Sequence, residues 1–192
     1  MNLYNRQQYM NLNKNISILV CGCGGIGYWV AKFAAMSGIE KIYLYDPDVI
    51  EEHNLNRLDL PLNAIGKNKA QITGIIINEL RPLISVYTFP FKYIETSPVK
   101  ADWFIDCTDD YKSQLYNQSS SRKNGMRYVK AGYNGEHISI NDEVAEWGIE
   151  TDGYTIIPSW VVPATVIAAL TVAKVMKYYD FEISTQIKNI FN

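Results

Sequence analysis

Residues Ile18-Leu19-Val20-Cys21-Gly22-Cys23-Gly24-Gly25-Ile26-Gly27 set a short β-rich run directly before a Gly-x-Gly-x-x-Gly turn, which constrains the fold more than any other stretch of the chain. The run reads as a strand over 16–21 and the residues after the turn as an apolar helix over 26–37. Gly22, Gly24, Gly25 and Gly27 permit a tight turn and close backbone approach, so a phosphate can rest on the unpaired N–H groups at the helix start. A second run, Lys41 to Tyr45, ends at Asp46, nineteen residues after Gly27, where a carboxylate would accept hydrogen bonds from ribose hydroxyls. This spacing suits NAD and ATP equally well.

The rest of the chain continues the alternation. A helix is expected over 66–80, strands over 84–89 and 103–107, a helix over 111–123 and a strand over 127–131. Such alternation specifies a Rossmann-like α/β fold, a mainly parallel sheet with helices on both faces. Gly38 and Gly125 stand where helices should stop, and Pro82 follows the helix expected over 66–80 as a stop signal. Beyond Glu136 the segments shorten to 137–140, 144–149 and 154–157, which predicts an antiparallel C-terminal extension. Pro163 suits a helix start, so the last long helix is expected over 164–179; residues 183–191 read as an edge strand or a tail.

No repeat, low-complexity tract or linker divides the 192 residues, and a single domain over 1–192 is expected. A net charge of −2 gives no electrostatic footprint for nucleic acid or an anionic membrane. The most apolar stretch, Trp160 to Ala173, is too short to span a bilayer and reads as a buried helix. Three cysteines make no disulfide framework, so a cytoplasmic protein is expected.

Further words follow Asp46 in order: Asp46-Pro47-Asp48-Val49, Asn54-Leu55-Asn56-Arg57, Gly66-Lys67-Asn68-Lys69-Ala70 and Asp106-Cys107-Thr108-Asp109-Asp110, with Tyr4-Asn5-Arg6-Gln7 upstream. Together they resemble the ThiF/MoeB family of adenylyltransferases, whose fold is shared by the activating enzymes of ubiquitin. The resemblance covers about residues 4 to 140. It implies an ATP-dependent enzyme that activates a carboxylate to an acyl-adenylate, the acid being the C-terminus of a small ubiquitin-like protein or peptide.

By the same resemblance Arg57 and Lys69 lie against the triphosphate, Asn54 fixes ribose or phosphate through its amide, and Asp109 serves Mg²⁺ bound to ATP. It also implies a homodimer in which Arg6 reaches the opposite subunit's triphosphate, as an arginine finger does. An apolar helix such as 164–176 would contribute to the interface. Other roles are open for these residues: Asn54 to Arg57 as a solvated helix cap, Lys69 as a surface lysine where the helix dipole disfavours a cation, Thr108 or Asp109 as an N-cap near Tyr111.

The chain also departs from the pattern. Asp110 replaces the family's asparagine. It has no Cys-x-x-Cys pair, so no zinc is expected, and no cysteine follows Cys107, whose apolar neighbourhood should keep its thiol inert. Tyr133, Trp147, Tyr154 and Trp160 fall where the family threads its substrate's C-terminal tail, although they could equally be core. His53 and His137 read as surface or hydrogen-bonded structural residues. The competing assignments are a non-catalytic scaffold of the same fold and an NAD(P)-dependent oxidoreductase; the second leaves Arg57 and Lys69 unexplained.

Overall fold

The computed structural model describes residues 3–94, 99–144, 158–177 and 179–191. Its elements are β1 (Ser17–Cys21), α1 (Gly27–Ser37), β2 (Lys41–Tyr45), α2 (Lys69–Leu80), β3 (Ser85–Phe89), β4 (Trp103–Asp106), α3 (Tyr111–Lys123), β5 (Arg127–Asn134), β6 (His137–Asn141), α4 (Val161–Lys177) and β7 (Ile183–Gln186). They form one seven-stranded sheet in the order β3-β2-β1-β4-β5-β6-β7. The first five strands of that order are parallel; β6 and β7 are antiparallel additions. Strand order reverses between β1 and β4, which makes their carboxyl ends the point where a doubly wound sheet opens a crevice.

Alternation along each strand sorts the side chains between two cores. Ile18, Val20, Ile42, Leu44, Ile105 and Val129 pack under α1, α2 and α4. Leu19, Tyr45, Phe104 and Tyr128 point to the other face, which α3 covers among the described helices. Aromatic rings fill that thinner layer: Tyr45 stacks on Phe89 at 4.3 Å between centroids, and Tyr93 meets Phe104 edge-on at 4.9 Å.

Three boundaries differ by three residues from the sequence expectation, each for a local reason. α2 starts at Lys69 rather than 66, because Gly66 has φ +81 and Asn68 is extended, its side chain accepting the N–H of Gln71 as an N-cap. α4 starts at Val161, ahead of Pro163, because the first helical N–H groups have no intrahelical acceptor and the proline ring is tolerated there. β5 runs on to Asn134, where its end pairs with β6. Residues 183–186 are an edge strand on β6, followed by a short 3₁₀ turn, Ile187–Phe191. The strands expected at 144–149 and 154–157 fall, apart from Val144, outside the described residues, as do Trp147 and Tyr154.

α4 requires a correction. Its Ala164, Ile167, Ala168, Val172, Val175 and Met176 are buried against α1, β5 and β6 of the same chain, so that apolar face is not free for a second subunit. Among the described residues no helix is long and apolar enough to cross a membrane.

Candidate functional site

The carboxyl ends of the parallel strands open into a cavity of about 1160 Å³ at the strand-order reversal. The glycine turn forms its floor, and each glycine is there for a different reason. A Cβ on Gly22, whose φ is +87, would stand 3.0 Å from the carbonyl of Cys107. One on Gly27 would stand 1.8 Å from the carbonyl oxygen of Gly22, so this glycine lets α1 close onto the strand end. Gly25 lies beneath Arg57 and Tyr133, each 2.8 Å from a would-be Cβ. Among the described residues, its chain neighbours aside, nothing comes within 4 Å of a Cβ on Gly24, which lines the cavity. Gly22, Gly24 and Gly25 line the cavity, whereas Gly27 is buried below it.

Asp46 braces this turn. It is 4 % exposed, and its two oxygens accept the N–H of Cys23 at 2.6 Å and of Asp48 at 2.8 Å. Burial pushes its carboxyl above the usual range, against the pull of those two N–H groups and of Lys69. The reading of Asp46 as only a ribose acceptor is therefore incomplete. It also holds the glycine turn in shape while lining the cavity.

Lys69 is the first residue of α2, and its side chain is 15 % exposed. Its ammonium lies 3.1 Å from Asp48 Oδ2, which offsets a cation at the wrong end of a helix dipole. Arg57 closes a short 3₁₀ turn, Glu52–Asn56, and its guanidinium donates to the His53 carbonyl at 3.0 Å and to Asn56 Oδ1 at 2.8 Å. The Trp29 indole in turn donates to the Arg57 carbonyl at 2.8 Å. Tyr28, Ile50, Leu58, Ala64 and Ile72 form a separate apolar cluster under this loop, so both cations stand on packed ground. Asn54 is placed otherwise than expected. It is buried, does not line the cavity, and its Oδ1 accepts the N–H of Glu51 in a capping box that shapes the Arg57 turn.

After β4 the alternatives for the two acids resolve. Asp110 is the N-cap of α3, accepting the Ser113 N–H at 2.9 Å and hydroxyl at 2.6 Å, and those contacts hold its carboxyl below the usual range. Neither Thr108 nor Asp109 caps the helix. Asp109 is exposed on the cavity wall. Among the described residues no group of three or more His, Cys, Asp or Glu is gathered as a metal cage. The lack of such a cage is compatible with magnesium, which takes one or two protein carboxylates and completes its shell with phosphate oxygens and water. Cys107 is pushed up to about 12 by burial, and burial likewise raises Cys21 and Cys23, so all three thiols stay protonated at neutral pH.

Arg6 is not brought to this cavity. Its short 3₁₀ turn, Asn5–Gln7, docks at the far end of α1, where the Tyr4 hydroxyl donates to the Ala35 carbonyl and Lys14 covers the Tyr4 ring. Lys177 donates to the Met10 carbonyl, and the Asn13 N–H reaches the Met176 carbonyl at 2.9 Å. α1 begins at the cavity, and its 11 residues separate Arg6 from the site by roughly 16 Å of helix. His53 pairs with Glu51 at 3.3 Å near the surface, and His137 contacts the Ser184 hydroxyl at 3.1 Å. Tyr133 is half-buried on the cavity wall and bonds Ser159, while Trp160 is exposed. Among the cavity residues that escaped the sequence reading are Lys92, Lys112 and, on β5, Lys130. Lys130 lies on the same strand face as the buried Tyr128, a charge within an otherwise apolar run that does not by itself reveal a cavity.

A family model described as "ThiF family" matches residues 2–153. The chain belongs to the ThiF family. Similar proteins include the ubiquitin-like modifier-activating enzyme 5 of Branchiostoma floridae, 23% identical over 78% of this chain and 40% of that protein. Another is the adenylyltransferase and sulfurtransferase UBA4 of Kluyveromyces lactis, 33% identical over 50% of this chain and 23% of that protein. Among solved structures, E. coli MccB superposes with a TM-score of 0.75 at 22% identity, over 91% of this chain and 63% of MccB. It has also been solved with ATP. This ThiF chain thus spans less than half the length of those two curated relatives, and the MccB likeness establishes the fold.

Proposed function

We propose that this ThiF-family chain adenylates a carboxylic acid: it binds ATP, activates the acid as an acyl-adenylate and releases pyrophosphate. The observation that carries this reading is the convergence of the glycine turn, Arg57, Lys69 and Asp109 on one cavity at the strand-order reversal. A carboxylate oxygen attacks the α-phosphorus as the bond to the bridging oxygen breaks, and pyrophosphate leaves with that electron pair. No enzyme nucleophile is needed. The turn's N–H groups and the two cations meet charge on the phosphoryl oxygens, where fixed donors in a water-poor site act most strongly. Bound at Asp109, Mg²⁺ would supply further charge neutralisation across the phosphates.

The names of similar proteins support the C-terminus of a small ubiquitin-like protein or peptide as the acid: one activates ubiquitin-like modifiers, and MccB has been solved with the peptide MccA. The docked Tyr4 to Gln7 segment, far from its own cavity, supports a homodimer that shares Arg6 between subunits. Three free cysteines fit a cytoplasmic setting. Calorimetry with Mg-ATP and with NAD tests the reading: Mg-ATP should bind, more weakly without magnesium, and NAD binding without ATP affinity would overturn it.

A further inference from the structure

The carboxylates of the cavity are confined to one part of its wall, which also carries the cations Lys69, Lys92 and Lys112. The acids, Asp46, Asp48, Asp109 and Asp110, all follow β2 or β4. The wall built by β5 and β6 presents Lys130, Tyr133, Asn134, His137, Ser139 and Asn141, with no acid among the described residues. Lys130 is half-buried, and its ammonium makes one hydrogen bond, to the Ala131 carbonyl at 2.9 Å. Among the described residues it has no carboxylate partner, unlike Lys69 with Asp48.

Its neighbour in the sheet cannot supply one. Asp106 pairs with Lys130 in strand register, yet its Oδ1 accepts the Thr108 N–H and hydroxyl, and its Oδ2 accepts the Asn117 amide and the Tyr128 hydroxyl. Lys130 is therefore a partly desolvated cation with spare donors, lining the cavity that a reactant would enter. On the adenylation reading a nucleotide on the glycine turn has its phosphates met by Arg57 and Lys69, which leaves Lys130 without a phosphate to bind. The reacting carboxylate is a poor partner as well, since an ion pair would stabilise the lone pair that must attack.

We propose that Lys130 determines specificity by binding a second carboxylate on the acid substrate, so the activated acid carries an acidic group beside the carboxylate that reacts. The proposal rests on the adenylation reading for the identity of the reacting group. Its test uses acetyl-Gly-Gly-Asp and acetyl-Gly-Gly-Asn, both with a free terminal carboxylate, titrated by NMR into the full chain without nucleotide and with a non-hydrolysable ATP analogue. The aspartyl peptide should bind on the order of tenfold tighter. Lys130→Met should abolish that preference, Lys130→Glu should shift it to acetyl-Gly-Gly-Lys, and Mg-ATP affinity should stay within about twofold in both variants. Equal binding of the two peptides, no measurable binding of either, or a preference that survives Lys130→Met overturns the proposal. So does a loss of Mg-ATP affinity on the order of tenfold in Lys130→Met, which makes it a phosphate ligand. Failure of the unsubstituted chain to bind Mg-ATP sinks the adenylation reading instead, and the nucleotide-free titrations still report on Lys130.

Discussion

A hydrogen atom at Gly24 and one at Gly27 do different jobs, and substitution separates them. Gly24→Ala places its methyl in open cavity, so stability should stay within about 0.5 kcal/mol while Mg-ATP affinity falls, as calorimetry would show. Gly27→Ala drives its methyl into the Gly22 carbonyl, and denaturant unfolding should show a loss of roughly 1–3 kcal/mol. The two cations make a sharper demand. Losing one transition-state donor costs several kcal/mol in such sites, so Arg57→Ala or Lys69→Ala should slow pyrophosphate exchange into ATP by about a hundredfold or more, given an accepted acid. Unchanged exchange in both would remove them from the phosphate site. Cys107, with its thiol pushed up to about 12, should resist alkylation at pH 8, and Cys107→Ser should leave exchange intact. A thiol-sensitive conjugate lost in that variant would show covalent chemistry instead.

At the scale of elements, the site depends on how helices begin. Asn68 caps α2 and ties the loop back through its amide to the Asp46 and Asp48 carbonyls, at 2.8 and 3.0 Å, which puts Lys69 at the cavity edge. Asp110 caps α3 and leaves Asp109 unencumbered. The adjacent acids should thus respond in opposite ways. Asp110→Ala should destabilise the fold by about 1 kcal/mol and barely change magnesium dependence. Its depressed carboxyl makes that contribution present at neutral pH and lost as pH falls through the folded-state pKa. Asp109→Asn should leave unfolding unchanged and raise the magnesium needed for ATP binding, with partial recovery at high metal. Reversed outcomes would exchange the two roles.

Across the whole molecule, the segment carrying Arg6 and the cavity sit at opposite ends of α1, so a role for Arg6 in catalysis requires a second copy. Closed two-fold dimers are the commonest oligomers, and this arrangement predicts complementation between defective subunits. Arg6→Ala mixed with Lys69→Ala should regain exchange activity, because a heterodimer contains one site with both residues intact. A mixture no more active than its parents after verified subunit exchange, or a monomer at working concentration, removes the shared site.

The strand-turn-helix beginning at Ile16 and the order of the parallel strands' segments were legible because backbone sterics and hydrophobic alternation act over a few residues, whereas Arg57, Lys69 and Asp109 were singled out by the family resemblance. Asp106, Asp109 and Asp110, by contrast, are nearly equivalent in sequence. Tertiary structure divides them into a buried strut, a cavity wall and a helix cap, according to which donors each carboxylate meets. The same holds for Asn54, turned inward to shape a loop, and for α4, whose apolar face the sequence could not assign to core or interface. Lys130 became visible only when β5 was set beside β4 and β6. Local pattern determines what each segment becomes; which charges find partners, and which are left facing a cavity, depends on contacts between residues far apart in the chain.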